Sequence, residues 1–144
     1  MEKEYVRDWM TPEPVTVDPD TSVSRAYDLM QEHHIRRLPV TEGEWLVGVV
    51  TTRDLWAAIA PLEAGCNIFE MASRMDRLTV MQIMTHEVVT VTPDTPIKAA
   101  CELMLKHEIG GLPVMVEGRL LGILAESDIF RLVTKYGLVS DKQD

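Results

Sequence analysis

The stretch His33–Leu55, HHIRRLPVTEGEWLVGVVTTRDL, decides how the rest of the chain is read. Its histidines close a helical segment. Leu38–Val40 is a short apolar run that reads as a strand, ended by the polar turn Thr41–Glu44 with its one glycine. Leu46–Val50 is a denser β-branched run and reads as a second strand. Thr51-Thr52-Arg53-Asp54 is then a polar break in front of the helical Leu55–Ala60. Adding 74 to every number brings the stretch back as His107–Ile129, HEIGGLPVMVEGRLLGILAESDI. Between Met10–Leu55 and Met84–Ile129, 20 of 46 aligned pairs are identical without a gap, among them Thr16/Thr90, Pro19/Pro93, Ile35/Ile109, Pro39/Pro113, Gly48/Gly122 and Asp54/Asp128. A repeat at fixed spacing means one supersecondary unit used twice.

The pattern extends outward from both copies. Tyr5–Met10 and Val80–Met84 are short helical lead-ins, each running through Met-Thr into an expected strand, Val15–Val17 and Val88–Val91. Pro19-Asp20-Thr21 and Pro93-Asp94-Thr95 stop those strands. Thr21 and Thr95 are the expected N-caps, with Pro96 at a first helical position. The helices that follow carry apolar stripes at i, i+3, i+4, i+7: Val23, Ala26, Tyr27, Met30 in one and Ile97, Ala100, Cys101, Met104 in the other. Closing helices are expected at Leu55–Ala60 and Ile129–Tyr136. Each repeat is thus strand, helix, strand, strand, helix. The fold class is α/β (α+β), with two pseudo-symmetric repeats, each a small three-stranded sheet with helices, packed face to face. Repeat 1 spans 6–59 and repeat 2 spans 80–136. The connecting segment 60–79 breaks at Pro61 and Gly65. It then resumes as a helix, with Asn67 and Glu70 at capping-box spacing before the stripe Ile68, Met71, Ala72, Met75, Leu78. The polar tail Ser140–Asp144 is expected to fray.

A repeat of about 50 residues is marginal alone, so the pair is expected to be the folding unit. A chain of 16.3 kDa buries about 68% of its unfolded surface. No apolar run approaches the ~18 residues of a membrane span. The start, MEKEYVRDWMT, lacks a basic and then apolar leader. Cys66 and Cys101 form no CxxC, and Cys101 lies on an apolar helix face, so a reduced thiol and a cytoplasmic setting are expected. Net charge of −9 disfavours a nucleic-acid backbone or an anionic membrane as partner. It leaves room for a small phosphorylated ligand, because charges beyond ~8 Å are screened and local arginines decide.

No motif for catalysis emerges. His86-Glu87 is followed by Val88-Val89-Thr90 and not by the second histidine of HExxH; GxGxxG and GxxxxGK[ST] are missing; no cysteine–histidine set has zinc spacing. No nucleophile sits with a base. The chain is therefore expected not to be an enzyme. His33 and His107 suit helix C-termini, and the nine methionines suit core filling. Trp45, just after a turn, is either a partner contact or a surface accident.

The arrangement resembles the cystathionine-β-synthase-type (CBS) domain as a tandem pair, the Bateman module. In repeat 1 the resemblance rests on Met10-Thr11, Val15-Thr16-Val17 with Pro19, His33-His34-Ile35, Arg36-Arg37-Leu38-Pro39-Val40 and Gly48 through Asp54. In repeat 2 it rests on Met84-Thr85, Thr90-Val91, His107 through Val114, Gly122-Ile123-Leu124 and Asp128. It covers residues 6–133. The resemblance implies two clefts between the halves, a flat homodimer, and an adenosine ligand: AMP, ADP or ATP, with S-adenosylmethionine or NAD as further possibilities. With no enzyme, transporter or channel domain alongside, the chain looks like a free-standing sensor that signals to a regulated partner protein.

The resemblance also assigns roles. Asp54 accepts from ribose hydroxyls and Thr51 donates to a phosphate at a helix N-terminus, where free N–H groups favour anions. The alternative is that Thr52 or Asp54 only caps the helix. Arg36, Arg37 and Arg53 are phosphate partners, or, for the first two, charges guarding a strand edge. Thr16, Val17, Thr90 and Val91 read adenine with their backbone. Ile35 and Ile109, beside Pro39 and Pro113, hold its face. In repeat 2 the string is Ala125-Glu126-Ser127-Asp128, so the threonine hydroxyl is gone, Ser127 is the substitute donor, and Glu126 would repel a phosphate. That cleft is expected to be empty, weak, or suited to a less charged ligand. Gly110-Gly111 replaces the arginines, offering backbone or simply a helix stop. The family also implies that Asp54 faces the Thr90 and Gly110-Gly111 side and Asp128 the Thr16 and Arg36-Arg37 side. Against the sensor stands a ligand-free dimerisation or docking module, which needs neither Thr51 nor Asp54 for chemistry.

Overall fold

A computed structural model describes residues 4–59 and 67–137. The breaks expected at Pro61 and Gly65, the helix end at Ala60, Cys66 and the tail Ser140–Asp144 lie outside the described residues. The elements, in chain order, are α1 (Val6–Trp9), β1 (Thr11–Pro12), α2 (Val23–His33), β2 (Arg37–Glu42), β3 (Trp45–Thr51) and α3 (Thr52–Ile59). After the undescribed stretch come α4 (Ile68–Arg77), α5 (Val80–Ile83), α6 (Ile97–His107), β4 (Gly111–Val116), β5 (Arg119–Ala125) and α7 (Glu126–Tyr136). None of these helices is long and apolar enough to cross a membrane.

The chain divides into two compact units whose limits differ from those of the repeats: Val15–Val88, and Met1–Pro14 together with Val89–Asp144. The lead-in of each repeat has changed places. In the Val15–Val88 unit the core is Val17, Val23, Ala26, Met30, Leu38, Val40, Val50, Leu55, Val80 and Met84. In the other unit it is Val6, Val91, Ile97, Ala100, Met104, Leu112, Val114, Leu124 and Leu132. Val80 and Val6, equivalent by the repeat, are both fully buried. Hydrogen bonds fix the exchange: Val80 donates to the Thr21 carbonyl at 2.8 Å and Val23 to Leu78 at 2.9 Å, while Val6 donates to Thr95 at 2.9 Å and Ile97 to Glu4 at 3.1 Å.

The hairpin read from the sequence is present in both units. β2 and β3 pair antiparallel from Arg37↔Thr51 to Glu42↔Trp45, and β4 and β5 from Gly111↔Ala125 to Val116↔Arg119. Each has a two-residue turn: Gly43 at φ +64° opens the first, and Glu117 and Gly118 at +52° and +83° make the second. Each also bulges, just after Val40 and just after Val114.

Val15–Val17 and Val88–Val91 do not form the expected strands. Each is reduced to one parallel bridge, Val17↔Val40 and Val91↔Val114. Val17 donates to Pro39 at 3.1 Å and accepts from Thr41 at 2.9 Å; Val91 donates to Pro113 and accepts from Met115. The next parallel bond on one side would need an N–H from Pro39 or Pro113, and on the other from Pro19 or Pro93. Proline has none, so neither ladder can grow.

The helix starts also differ from expectation. Thr21 and Thr95 close turns with Asp18 and Thr92 instead of capping. Ser22 is the N-cap of α2, accepting from the Arg25 N–H at 3.0 Å, and Pro96 is the N-cap residue of α6, without a side-chain bond. Both helices end at the expected histidines, with His34 and Glu108 left-handed at φ 56° and 55°. Gly110 and Gly111 therefore do not terminate the helix. The Asn67–Glu70 capping box forms reciprocally at 2.9 and 3.0 Å. The α4 stripe is only part-buried: Met75 and Leu78 meet the core, but Ile68 is 73% exposed.

Candidate functional site at the Asp54 corner and its copy

In the Val15–Val88 unit, the turn from β3 into α3 brings most of the sequence candidates together. Arg37 lies opposite Thr51 across the hairpin, and the Thr52 N–H donates to the Arg36 carbonyl at 3.0 Å. Thr51 and Asp54 cap each other: the Thr51 N–H donates to Asp54 Oδ2 at 2.9 Å, and the Asp54 N–H to Thr51 Oγ1 at 3.2 Å. The capping residue is thus Thr51, which moves the helix start from the expected Leu55 back to Thr52. The cap leaves chemistry over. Thr51 Oγ1 accepts and so keeps its proton to donate, and the described cap bond engages only one oxygen of the half-buried Asp54.

Of the first N–H groups of α3, that of Thr52 goes to the Arg36 carbonyl and that of Asp54 to Thr51 Oγ1. Arg53 and Arg36 have exposed side chains, and Arg37 is half-buried. The backbone thus brings Arg36, Arg37 and Arg53 to one helix start on a chain of net charge −9. Ile35 packs half-buried on the core margin. Thr16 is exposed. It lines a shallow groove of about 360 Å³ with Val17, Asp18, Arg25 and Thr41, and that groove includes neither Thr51 nor Asp54. Val17 is buried, its N–H and carbonyl spent on β2.

The copy in the other unit repeats the backbone and changes the chemistry. Gly111 lies opposite Ala125, and the Glu126 N–H donates to the Gly110 carbonyl at 3.1 Å. The Ala125 N–H donates to Asp128 Oδ2 at 2.8 Å, so the aspartate half of the cap survives without the hydroxyl. The helix again starts earlier than expected, at Glu126 instead of Ile129. Asp128 is 1% exposed, and its Oδ1 accepts from Thr11 Oγ1 at 3.1 Å and from the Arg131 guanidinium. Glu126 and Ser127 are exposed. Val91 is buried with its N–H on Pro113, Ile109 is half-buried, and Thr90 is exposed.

Thr11 and Arg131, the side-chain partners of Asp128, are not among the candidate residues read from the sequence. A signal was available: the residue equivalent to Arg131 in repeat 1 is Ala57, so the copies differ three residues past the aspartate. Cys101 is free and half-buried, and desolvation, then the Glu102 charge, pushes its thiol above the ordinary value. Among the described residues no group of histidine, cysteine and carboxylate side chains could hold a metal ion.

Comparison with known proteins bears on this geometry. The model of the CBS domain matches residues 6–59 and again 80–135. The chain is 32% identical over 124 residues to the CBS domain-containing protein YhcV of Bacillus subtilis, covering 86% of this chain and 81% of that one. It spans only 21% and 24% of two larger curated relatives that it also matches. Among solved structures, CBSX2 in complex with AMP aligns with a TM-score of 0.78 at 30% identity, covering 93% of this chain and 99% of that one. The CBS domain pair of protein MJ0100, in complex with 5′-methylthioadenosine and S-adenosyl-L-methionine, aligns with a TM-score of 0.78 at 29% identity, covering 93% and 98%. Two matches of one family model, a hairpin in one register twice over, and an aspartate closing each helix start together establish that this chain belongs to the CBS domain family.

Proposed function

We propose that the chain is a regulatory module that binds an adenosine ligand at the Thr51–Asp54 corner and signals its occupancy to a partner protein. The observation that carries the reading is the division of labour in the cap. One Asp54 oxygen and one Thr51 lone pair hold the helix, while the other oxygen and the hydroxyl proton remain for ribose and phosphate. Arg36 and Arg53 stand beside them for an anionic ligand, and Arg37 joins them from β2. Two similar proteins are known with AMP and with S-adenosyl-L-methionine bound. The ligand class is therefore adenosine-based, with AMP, ADP and ATP ahead of S-adenosylmethionine and NAD because of the arginines. In this reading the protein regulates instead of catalysing, works in the cytoplasm, and acts as a homodimer. A ligand changes the state of such a module only by binding its two states unequally.

The test is a thermal-shift and calorimetric screen of AMP, ADP, ATP, NAD and S-adenosylmethionine on the wild type and on Asp54→Asn, which keeps a cap acceptor. Ligand at 100 times its dissociation constant adds about 2.7 kcal/mol of stability. A raised Tm that disappears in Asp54→Asn supports the sensor. No shift with any of the five in a folded protein would sink it.

A second reading, a ligand-free dimerisation or docking module, has its own observation. Trp56 and Phe130 hold the same place in their repeats and are 60% and 67% exposed. Large aromatics left outside at equivalent positions suit a protein surface better than water. Sedimentation of Trp56→Ser together with Phe130→Ser separates the readings: loss of a dimer with ligand binding intact assigns these residues to assembly alone.

A further inference from the structure

We propose that the two repeats are unequal by construction: Thr11 and Arg131 lock Asp128 out of ligand binding, so the module takes one adenosine ligand per chain, at Asp54. The inference rests on the sensor reading above and specifies which of its sites is open.

The two aspartates start from the same position. Each lies at the third residue of its helix and accepts from the backbone N–H just before the helix, at 2.9 Å for Asp54 and 2.8 Å for Asp128. They differ in the remaining oxygen. For Asp54 no further partner is found among the described hydrogen bonds, and the residue is half-buried. For Asp128 the second oxygen accepts from Thr11 Oγ1 at 3.1 Å and is paired with Arg131, and the residue is 1% exposed. A carboxylate accepting three hydrogen bonds, two of them from groups at a single oxygen, has little left for a ribose diol. A ligand there would have to displace a charged donor from a buried carboxylate, which is costly.

The reason lies in two sequence facts of different kinds. Threonine stands at both copies of the lead-in, Thr11 and Thr85, and both are exposed, but only Thr11 makes a described bond to the aspartate of its unit. Arginine stands at only one copy, Arg131 against Ala57. The lock therefore depends on Arg131 as its positioning residue, with Thr11 completing it. Repulsion by Glu126, which is exposed, is the cause of a weak second cleft that the sequence suggests, and the engagement of Asp128 by Thr11 and Arg131 adds a second cause.

The repeat supplies a reciprocal test. Ala57 is exposed on α3, so Ala57→Arg puts an arginine where repeat 2 has one without entering the core; Arg131→Ala does the reverse. Titration calorimetry with AMP, and separately with S-adenosylmethionine, is expected to give one site per chain in the wild type. Arg131→Ala is expected to give two, Arg131→Lys one, and Ala57→Arg none or a strongly weakened one. Two sites in the wild type, or a wild-type site removed by Asp128→Asn but not by Asp54→Asn, would overturn the inference while leaving the sensor reading standing. A wild type that binds neither probe counts against the sensor reading, and the lock is then judged by carbodiimide labelling of carboxylates read by mass spectrometry. Asp128 should label far more slowly than Asp54, and Arg131→Ala should bring its rate up to that of Asp54. Equal rates in the wild type would overturn the lock without any ligand. Melting curves of each variant confirm that it is folded.

Discussion

Gly48 and Gly122 show how a single residue serves both repeats. Each sits in the middle strand of its unit where a Met-Thr lead-in crosses. A Cβ on Gly48 would lie 2.5 Å from Met84 Sδ and 2.9 Å from the Thr85 carbonyl oxygen; on Gly122 it would lie 2.7 Å from the Thr11 carbonyl oxygen and 3.0 Å from Met10 Sδ. A methionine tip can move aside and a backbone carbonyl cannot. Gly122→Ala is therefore expected to destabilise more than Gly48→Ala, each within the ~1–3 kcal/mol of an overpacked site. At ~2–4 °C per kcal/mol for a chain of this size, differential scanning calorimetry resolves both and their order. Gly122→Ala should also disturb Asp128, because the strand it pushes away carries the Thr11 hydroxyl. The repeat marked both glycines from the sequence alone. Their purpose was not legible there, since the atoms they make room for come from a segment more than 30 residues away.

At the scale of elements, the caps were the least legible feature. Their places are set by which N–H groups other segments have already claimed. Ser22→Ala is expected to cost about 1 kcal/mol, measured by denaturant unfolding, because the Arg25 N–H loses its acceptor, while α6 starts at Pro96 with no side-chain bond to lose. The segment at Glu4 is tied to α7 by side chains. The Glu4 carboxylate accepts from Tyr136 and, at 2.6 Å, from Trp9 Nε1, while Lys135 lies 5.5 Å from the centres of the Trp9 and Tyr136 rings. The Tyr136 bond, then that of Trp9, holds Glu4 below the usual 4.5, and the same bond to Glu4 holds Tyr136 above the usual 10. A lowered carboxylate stabilises the fold above its unfolded value and loses that contribution as pH falls through the lowered one. A raised phenol stabilises below its unfolded value and loses that contribution as pH rises through the raised one. The tie is therefore strongest between about pH 5 and 10. Wild type and Tyr136→Phe should differ in Tm across that window and converge in stronger acid. An unchanged difference at pH 3 would mean the tyrosine acts by packing and not through Glu4.

For the whole molecule, the exchange of lead-ins makes a prediction that the repeat pattern alone would reverse. If residues 6–59 folded as a unit, removing α1 would weaken the first repeat. With Val6 buried among Val91, Ile97 and Leu132, deletion of residues 1–10 should instead weaken the unit that contains 89–137. Hydrogen exchange read by mass spectrometry is expected to show faster exchange in α6 and β4 and little change in α2 and β2. Faster exchange in α2 and β2 would contradict the exchanged arrangement. The stripes of α2 and α6 and both hairpins were legible because each follows from neighbours two to four residues away. The exchange was not, because each lead-in offers an equivalent buried valine, Val6 or Val80, and the local pattern does not say which core receives it.

The sequence by itself determined the repeat, the hairpins, the two main helices to their final histidines, and the pair of aspartates at equivalent helix starts. Local periodicity and a spacing of 74 are enough for that. Tertiary structure decided which lead-in covers which core, how far the first strand of each unit runs, and which aspartate has both oxygens engaged among the described bonds. Those three depend on hydrogen-bond partners brought from distant parts of the chain. Pro39 and Pro113 refuse a donor, Thr21 and Thr95 supply carbonyls to the exchanged helices, and Thr11 reaches Asp128 across 117 residues. A carboxylate looks the same in sequence whether its second oxygen is free or taken. Only the fold sets that difference.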